Sequence, residues 1–116
     1  MRDYRKIRAW QEADDLTVAI YETTKQFPKE EIYGITSQLR RAAYSVPSNI
    51  AEGSERGTQP DFARFLRYSK GSSGELRTQA YVAEKLGILK SADARAIIDE
   101  TRQLSAMIEG LIRSLK

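Results

Sequence analysis

The sequence contains neither cysteine nor histidine among its 116 residues. Without cysteine the chain can form no disulfide, no thiolate metal site and no cysteine nucleophile. The absence of histidine removes the most common general base near neutral pH and the most common imidazole ligand for metals. Both absences argue against catalysis, so we expect a protein that is not an enzyme and that needs no cofactor.

Long hydrophobic runs are missing as well. No apolar segment approaches the roughly 20 residues that a helix needs to cross a bilayer, and the amino-terminal lead 1–6 is followed by no hydrophobic signal core. We therefore expect a cytoplasmic protein that does not associate with membranes. Hydrophobic residues make up 41% of the chain and charged residues 30%, which is typical of a globular protein. We expect one domain over residues 1–116.

Apolar residues recur with the period of an α-helix in four segments, which predicts four amphipathic helices. No segment alternates with the period of a strand. The short connections predict an all-α protein, an antiparallel up-down-up-down four-helix bundle. The predicted helices run from about Arg8 to Gln26, from Glu30 to Glu52, from Thr58 to Leu86, and from a capping Ser91 nearly to the carboxyl terminus.

Two of these helices contain residues that often interrupt helices. The apolar stripe of the second helix, which includes Ile32, passes through Pro47 without a change of phase, which predicts a kinked helix that ends near Gly53. We expect Asn49 to bond a carbonyl that the proline leaves unpaired. The stripe of the third helix continues through 71–74, which predicts a helix whose small residues let a neighbour approach closely.

Three segments carry a family resemblance: 38–43, 45–53 and 71–79. Through them the chain resembles the bacterial four-helix-bundle proteins encoded in intervening sequences of large-subunit ribosomal RNA, a family that also includes accessory variability proteins of diversity-generating retroelements. The block Ser-Val-Pro-Ser-Asn-Ile-Ala-Glu-Gly is the specific part of the match. The resemblance implies a homopentameric ring that binds nucleic acid, sometimes alongside a reverse transcriptase, and it implies no catalytic residues.

One face of the second predicted helix lies off the core stripe and carries Tyr33, Arg40, Tyr44 and Ala51. Tyrosine and arginine are enriched at protein interfaces. The alternative is a set of scattered exposed aromatic residues, which are normal on monomers. We expect an oligomer interface, because the resemblance implies a ring built from heterologous contacts.

Basic residues concentrate in the third helix and its flanks, although the net charge of the chain is only +3. Such cations can contact phosphates, and a neighbouring tyrosine such as Tyr68 can stack on an unpaired base. The alternative is a solvated helix face with local salt bridges. The residues that we predict to contact nucleic acid are Arg40, Arg41, Arg56, Arg64, Arg67 and Lys70.

Two functional hypotheses remain open at this point. The first is a non-catalytic, homo-oligomeric accessory protein that binds RNA or DNA through phosphates, with little sequence specificity. The second is a protein-interaction scaffold that recruits a polymerase or another partner and does not bind nucleic acid itself. Steep salt dependence of nucleic-acid binding would favour the first hypothesis.

Overall fold

A computed structural model describes residues 3–115. Its four helices are α1 (Arg8–Thr24), α2 (Ile35–Glu55), α3 (Gln59–Lys85) and α4 (Ser91–Ser114). The described part of the chain contains no strand. The prediction of an all-α four-helix bundle is therefore confirmed.

The helices form a closed arrangement in which each packs against two others. α1 contacts α2 and α4, and α3 contacts α2 and α4. Thr17 and Thr24 of α1 bond Ala43 and Arg40 of α2, respectively. These positions ascend along one helix and descend along the other, so α1 and α2 run in opposite directions.

The core is built from one apolar stripe of each helix, as the periodicity predicts. A fully buried leucine or isoleucine contributes roughly 1.5–3 kcal/mol relative to an exposed one, so these stripes account for a large part of the stabilising free energy. The largest fully buried aliphatic side chains are Ile20, Leu39, Val46, Ile50, Leu66, Leu76, Leu104 and Ile108.

The beginning of α2 differs from the prediction. Lys29–Glu31 form a short 3-10 helix, and Ile35 is the first residue of α2. The backbone N–H of Glu31 bonds the carbonyl of Pro28, and that of Gly34 bonds the carbonyl of Glu31. Because these turns bond to the third preceding residue, they change the helical phase. Ile32, which we predicted in the core stripe, is exposed as a result.

The end of α2 also lies beyond the predicted position. Gly53 does not cap the helix, which continues to Glu55. A Cβ atom added to Gly53 would lie 2.7 Å from the Cβ of Phe65, so this glycine permits the close approach of α3. The turn between the helices uses Gly57 instead, whose φ of 86° is favourable for glycine.

Pro47 lies inside α2 without ending it. Because proline has no backbone N–H, the carbonyl of Ala43 lacks its usual helical donor. The Oγ1 atom of Thr17 on α1 lies 3.0 Å from that carbonyl oxygen. Asn49 donates instead to the carbonyl of Ser45 at 2.8 Å, so our assignment of its acceptor is wrong. The kink at Pro47 stays a prediction.

α3 is continuous through the glycine-containing segment, as its stripe predicts. The predicted cap is present, since the Thr58 side chain accepts a hydrogen bond from the backbone N–H of Asp61. However, a Cβ added to Gly71 or Gly74 would meet nothing within 4 Å. The close neighbour that we expected at these glycines is therefore not another part of the described chain.

The start of α4 requires a small correction. Ser91 is the first residue of the helix rather than its cap. The capping position belongs to Lys90, whose side chain makes no capping bond. The preceding turn contains Gly87 with a φ of 76°, which allows the chain to leave α3 as predicted.

Candidate nucleic-acid and oligomer surfaces

Two predicted cations meet on the surface between α2 and α3. The guanidinium carbons of Arg56 and Arg64 lie 4.8 and 5.0 Å from the ring centroid of Phe65, within the range of cation–π attraction. The ring of Tyr68 packs edge-on against Phe65 at a centroid distance of 5.4 Å and is 50% exposed. Arg67 lies beside them on the solvent side of α3. We call Arg56, Arg64, Arg67 and Tyr68 the basic cluster.

The arginines of the basic cluster differ in whether their guanidinium groups already have partners. Arg67 is exposed and has no hydrogen-bond or ion-pair partner within residues 3–115. Tyr68, and then the nearby carboxylate of Asp61, raise the pKa of Arg64. Arg64 therefore stays cationic in the pH range of a cell, and Arg67 has all its donors available.

Four of the six predicted cations have a carboxylate partner. All four pairs are at least partly exposed, and such pairs contribute only about 0–1 kcal/mol. A phosphate group can therefore replace the carboxylate at little cost. The nitrogen–oxygen distances are 3.5 Å for Arg41–Glu75, 3.4 Å for Arg56–Glu52, 3.2 Å for Arg64–Asp61 and 3.0 Å for Lys70–Glu109.

Arg40 lies apart from the basic cluster, between α1 and α2. Its Nε donates to the Oγ1 atom of Thr24 at 2.8 Å, and its guanidinium carbon lies 4.8 Å from the ring centroid of Tyr21. The side chain is half-buried. This position separates Arg40 from the basic cluster, and both of the roles that we predicted for Arg40 stay predictions.

The predicted oligomer residues lie near the same α1–α2 surface. Tyr44 on α2 is 60% exposed and Ala51 is half-buried. Tyr33 is 94% exposed but lies in the turn before α2, so it does not share a helix face with Tyr44. Val18 and Tyr21 on α1, which sequence reasoning did not assign to this surface, are exposed as well. We call Val18, Tyr21, Tyr33, Arg40, Tyr44 and Ala51 the aromatic surface.

The opposite side of α1 forms an acidic groove with α4. The groove has a volume of about 280 Å³, and its floor includes Leu16 and Leu104. Burial, and then the charges of Glu12 and Asp15, raise the pKa of Glu100. Since three carboxylates lie near one another there, this side of the bundle disfavours a polyanion.

Sequence reasoning also missed a polar cluster between α3 and α4. Arg77 donates three hydrogen bonds to Thr101 and Ser105 on α4. Ser73, fully buried on α3, lies 2.9 Å from the Oγ of Ser105. Sequence reasoning could not find this cluster, because the helical phase of α3 gives no information about which acceptors on α4 face Arg77.

A comparison with protein families now identifies the chain's relatives. A family model described as 23S rRNA-intervening sequence protein matches residues 5–110. The chain belongs to this family. The resemblance predicted from the sequence is thereby confirmed as far as the family is concerned.

A solved structure shares the fold. It is the crystal structure of a protein of unknown function from the S23 ribosomal protein family of Bacteroides thetaiotaomicron. The two chains superpose with a TM-score of 0.84 over 90% of this chain and 95% of the other, at 15% sequence identity. At this identity the likeness shows the fold alone. No match was found among curated proteins.

Within residues 3–115, no group of three or more acidic side chains is arranged to hold a metal ion. Every helix in that range is too short or too polar to span a bilayer. The absence of catalysis stays a prediction.

Proposed function

We propose that this protein is a non-catalytic, cytoplasmic homo-oligomer that binds RNA or DNA through phosphates, with little sequence specificity. The observation that supports this function best is the basic cluster, where Arg56 and Arg64 flank one aromatic ring beside the exposed Tyr68. Guanidinium groups bind phosphates with two parallel hydrogen bonds, and an exposed phenol ring can stack on a base.

The distribution of charge agrees with this function. The basic cluster lies on the α2–α3 side, whereas the acidic groove lies between α1 and α4. A polyanion that approaches the bundle is therefore attracted to one side and repelled from another. This asymmetry orients the ligand even though the net charge of the chain is only +3.

The aromatic surface supports the oligomeric part of the proposal. Tyr33 and Tyr44 expose large ring surfaces there, and Arg40 is already held in position by Thr24. Arginine and tyrosine in fixed positions are common anchors at interfaces. We propose that this surface contacts the next copy in a ring, which is a pentamer according to the family resemblance.

A charge-reversal experiment tests the nucleic-acid site. We expect Arg64→Glu/Arg67→Glu to weaken the binding of a labelled RNA hairpin and of single-stranded DNA more than tenfold, as measured by fluorescence anisotropy. The control Lys25→Glu/Lys29→Glu makes the same change in net charge at the end of α1 and in the turn after it. We expect the control to bind almost as well as the wild type.

A salt series adds a second measurement to this experiment. The logarithm of the binding constant falls with log salt by about 0.7–0.9 for each phosphate contact. Arg64→Glu/Arg67→Glu should therefore lower the slope by about two contacts, while light scattering shows an unchanged oligomer. Equal effects of the two double variants would exclude the basic cluster as the binding site.

The exposed aromatic surface also favours a second candidate function, a scaffold that recruits a polymerase such as a reverse transcriptase. Tyr33→Ala/Tyr44→Ala distinguishes the two roles of this surface. If it contacts the next copy, this variant dissociates into smaller species in light scattering. If it binds a different protein, the variant keeps its oligomeric state and loses a partner whose binding is insensitive to salt.

A further inference from the structure

The polar cluster between α3 and α4 fixes one guanidinium group with neutral acceptors. The Nε of Arg77 donates to Thr101 Oγ1 at 3.0 Å, and its Nη2 donates to the carbonyl of Thr101 at 3.1 Å and to Ser105 Oγ at 2.9 Å. Ser73 Oγ lies 3.0 Å from the same carbonyl oxygen. These bonds hold the orientation of the guanidinium group without neutralising its charge.

Arg77 has no acidic counterpart. Within residues 3–115, no carboxylate oxygen lies within 4.0 Å of its nitrogens, and its Nη1 makes no hydrogen bond. The side chain is half-buried, so water screens its charge less than it screens an exposed arginine. A fixed, partly desolvated cation with two unused N–H groups attracts an anion.

Within residues 3–115, a second arginine without a carboxylate partner follows one of these acceptors on α4. Arg102 follows Thr101 on α4, and its Nη2 donates to the hydroxyl of Tyr81 at 3.0 Å. Tyr81 lies one turn after Arg77 on α3, a rise of about 6 Å. Because the Tyr81 hydroxyl accepts the bond from Arg102, its own proton remains available for an acceptor in the same place.

We propose that Arg77 and Arg102 form a phosphate-binding site, with the hydroxyl of Tyr81 as a further donor. Guanidinium pairs match the oxygens of a phosphate group in geometry and in charge. The phosphate is a phosphodiester of nucleic acid, and in this respect the inference rests on the proposed function. The site gives the nucleic acid a second point of contact on α3, in addition to the basic cluster.

Two carboxylates limit where the phosphate binds. A shallow hollow of about 210 Å³ continues along the α3–α4 surface from Tyr81 and Arg102 and does not include Arg77. It is also lined by Glu84 and Asp99 and by one further cation, Arg95. Glu84 lies seven residues after Arg77, or about 10 Å along the helix axis. The phosphate therefore binds at the Arg77 end, where the acceptors are neutral.

The distance along α3 suits a nucleic-acid strand. Arg67 of the basic cluster precedes Arg77 by ten residues in the same helix, which corresponds to about 15 Å. Successive phosphates rise by about 3.4 Å along one strand of a duplex. Ten residues at about 100° each also place the two side chains about 80° apart around the helix, so a strand that contacts both sites crosses the exposed face of α3 obliquely over a few nucleotides.

A titration with inorganic phosphate tests the site without nucleic acid. The readout is the NMR signal of each arginine Nε–H, with sodium chloride of equal ionic strength as the control. We expect the signals of Arg77 and Arg102 to shift together along one saturating curve, while the signal of Arg113 stays constant. Arg102→Gln should weaken the saturation seen at Arg77 at least fivefold. Shifts that do not saturate, or equal shifts in chloride, would overturn the proposal.

The nucleic-acid arm uses a matched pair of variants on α4. Arg113 is exposed and pairs with Glu109, so Arg113→Gln removes one positive charge away from the site. We expect Arg102→Gln to weaken RNA and DNA binding several-fold and to lower the salt slope by about one contact, 0.7–0.9, whereas Arg113→Gln leaves the slope unchanged. Equal slopes for the two variants would remove nucleic acid as the occupant.

The phosphate titration and the nucleic-acid experiment together distinguish a failure of this inference from a failure of the proposed function. If the wild type binds nucleic acid but phosphate does not saturate Arg77 and Arg102, this inference is wrong and the proposed function stands. The other outcome is that phosphate saturates the site while the wild type binds neither RNA nor DNA at low salt. The proposed function and our choice of a phosphodiester ligand are then both wrong, and only the phosphate site itself remains.

Discussion

Replacing Gly53 with alanine tests the close contact between α2 and α3. The added Cβ would lie 2.7 Å from the Cβ of Phe65 and 3.2 Å from Cδ1 of Phe62. A Cβ atom cannot rotate away, because it is bonded to the backbone, so the two helices must move apart. Overpacking of this kind costs about 1–3 kcal/mol, while alanine is favoured over glycine inside a helix by about 1 kcal/mol. We expect a net loss of about 1 kcal/mol in the free energy of unfolding, and up to about 2 kcal/mol where the helices are stiff.

Gly71→Ala is the matched control, because it makes the same chemical change in a neighbouring helix. Its Cβ would meet nothing within 4 Å, so the helix propensity of alanine should raise the free energy of unfolding by about 0.5–1 kcal/mol. The two variants should thus shift the urea midpoint in opposite directions, each by several tenths of a molar unit for a slope of about 1–3 kcal/mol/M.

The assay is equilibrium urea unfolding followed by circular dichroism, at one protein concentration because oligomerisation stabilises the folded state. A Gly53→Ala protein as stable as the wild type would refute the reasoning about the α2–α3 contact. A destabilised Gly71→Ala protein would show instead that another chain approaches α3 at this glycine, and light scattering would then detect a changed oligomer.

Two further predictions concern internal polar groups. The Thr17 hydroxyl lies 3.0 Å from the Ala43 carbonyl oxygen and 2.8 Å from that of Ala13 in its own helix, so two acceptors share its one proton. Thr17→Val should lower the free energy of unfolding by about 1 kcal/mol, since it removes the side-chain donor beside the Ala43 carbonyl. In a Pro47→Ala background, which restores a backbone donor, the loss measured by urea unfolding should be smaller, and equal losses would contradict this account. Glu100→Gln should raise the melting temperature at pH 7, because burial and neighbouring acids raise the pKa of Glu100 and so penalise its charged form in the folded state. The gain in melting temperature should disappear as the pH falls through the raised pKa to below the ordinary value of 4.5, because Glu100 is then protonated in both the folded and the unfolded state. A gain that stays constant between pH 7 and pH 4 would contradict this explanation.

Sequence reasoning recovered the helices where periodicity extends over many residues. The stripe from Phe62 to Ala83 correctly predicted a continuous α3, even across two glycines. Reasoning from periodicity failed at the start of α2, because Ile32 has the same helical spacing as the apolar residues that follow it. Periodicity does not register the change of phase that the turns bonded at Glu31 and Gly34 introduce, so a short irregular segment before a strong helix was taken as part of it.

The contacts at the candidate sites could be predicted where the partners are close in sequence, and could not be predicted where they lie on different helices. The pairs Arg56–Glu52 and Arg64–Asp61 join residues three or four apart in one helix, and this spacing can be recognised in a sequence. The partners of Arg77 are 24 and 28 residues away on another helix. Which acceptors face that guanidinium group depends on how α3 and α4 are rotated against each other, and the sequence pattern of either helix does not contain that information.

The specific block of the family resemblance has a structural explanation in α2. Pro47 leaves a carbonyl that Thr17 of α1 approaches, and one residue before it the carbonyl of Val46 accepts a hydrogen bond of 2.8 Å from the buried Ser69 of α3. At the end of the block, Gly53 allows α3 to pack against the backbone. The block thus holds α2 between its two neighbours. Its Gly53 contact reaches Phe65, the ring that Arg56 and Arg64 flank, whereas none of these contacts involves Arg77. The residues of this block therefore have a structural role in packing α2, whereas the arginines of the basic cluster lie outside the block and are exposed, so the proposed function has to be tested on this chain itself.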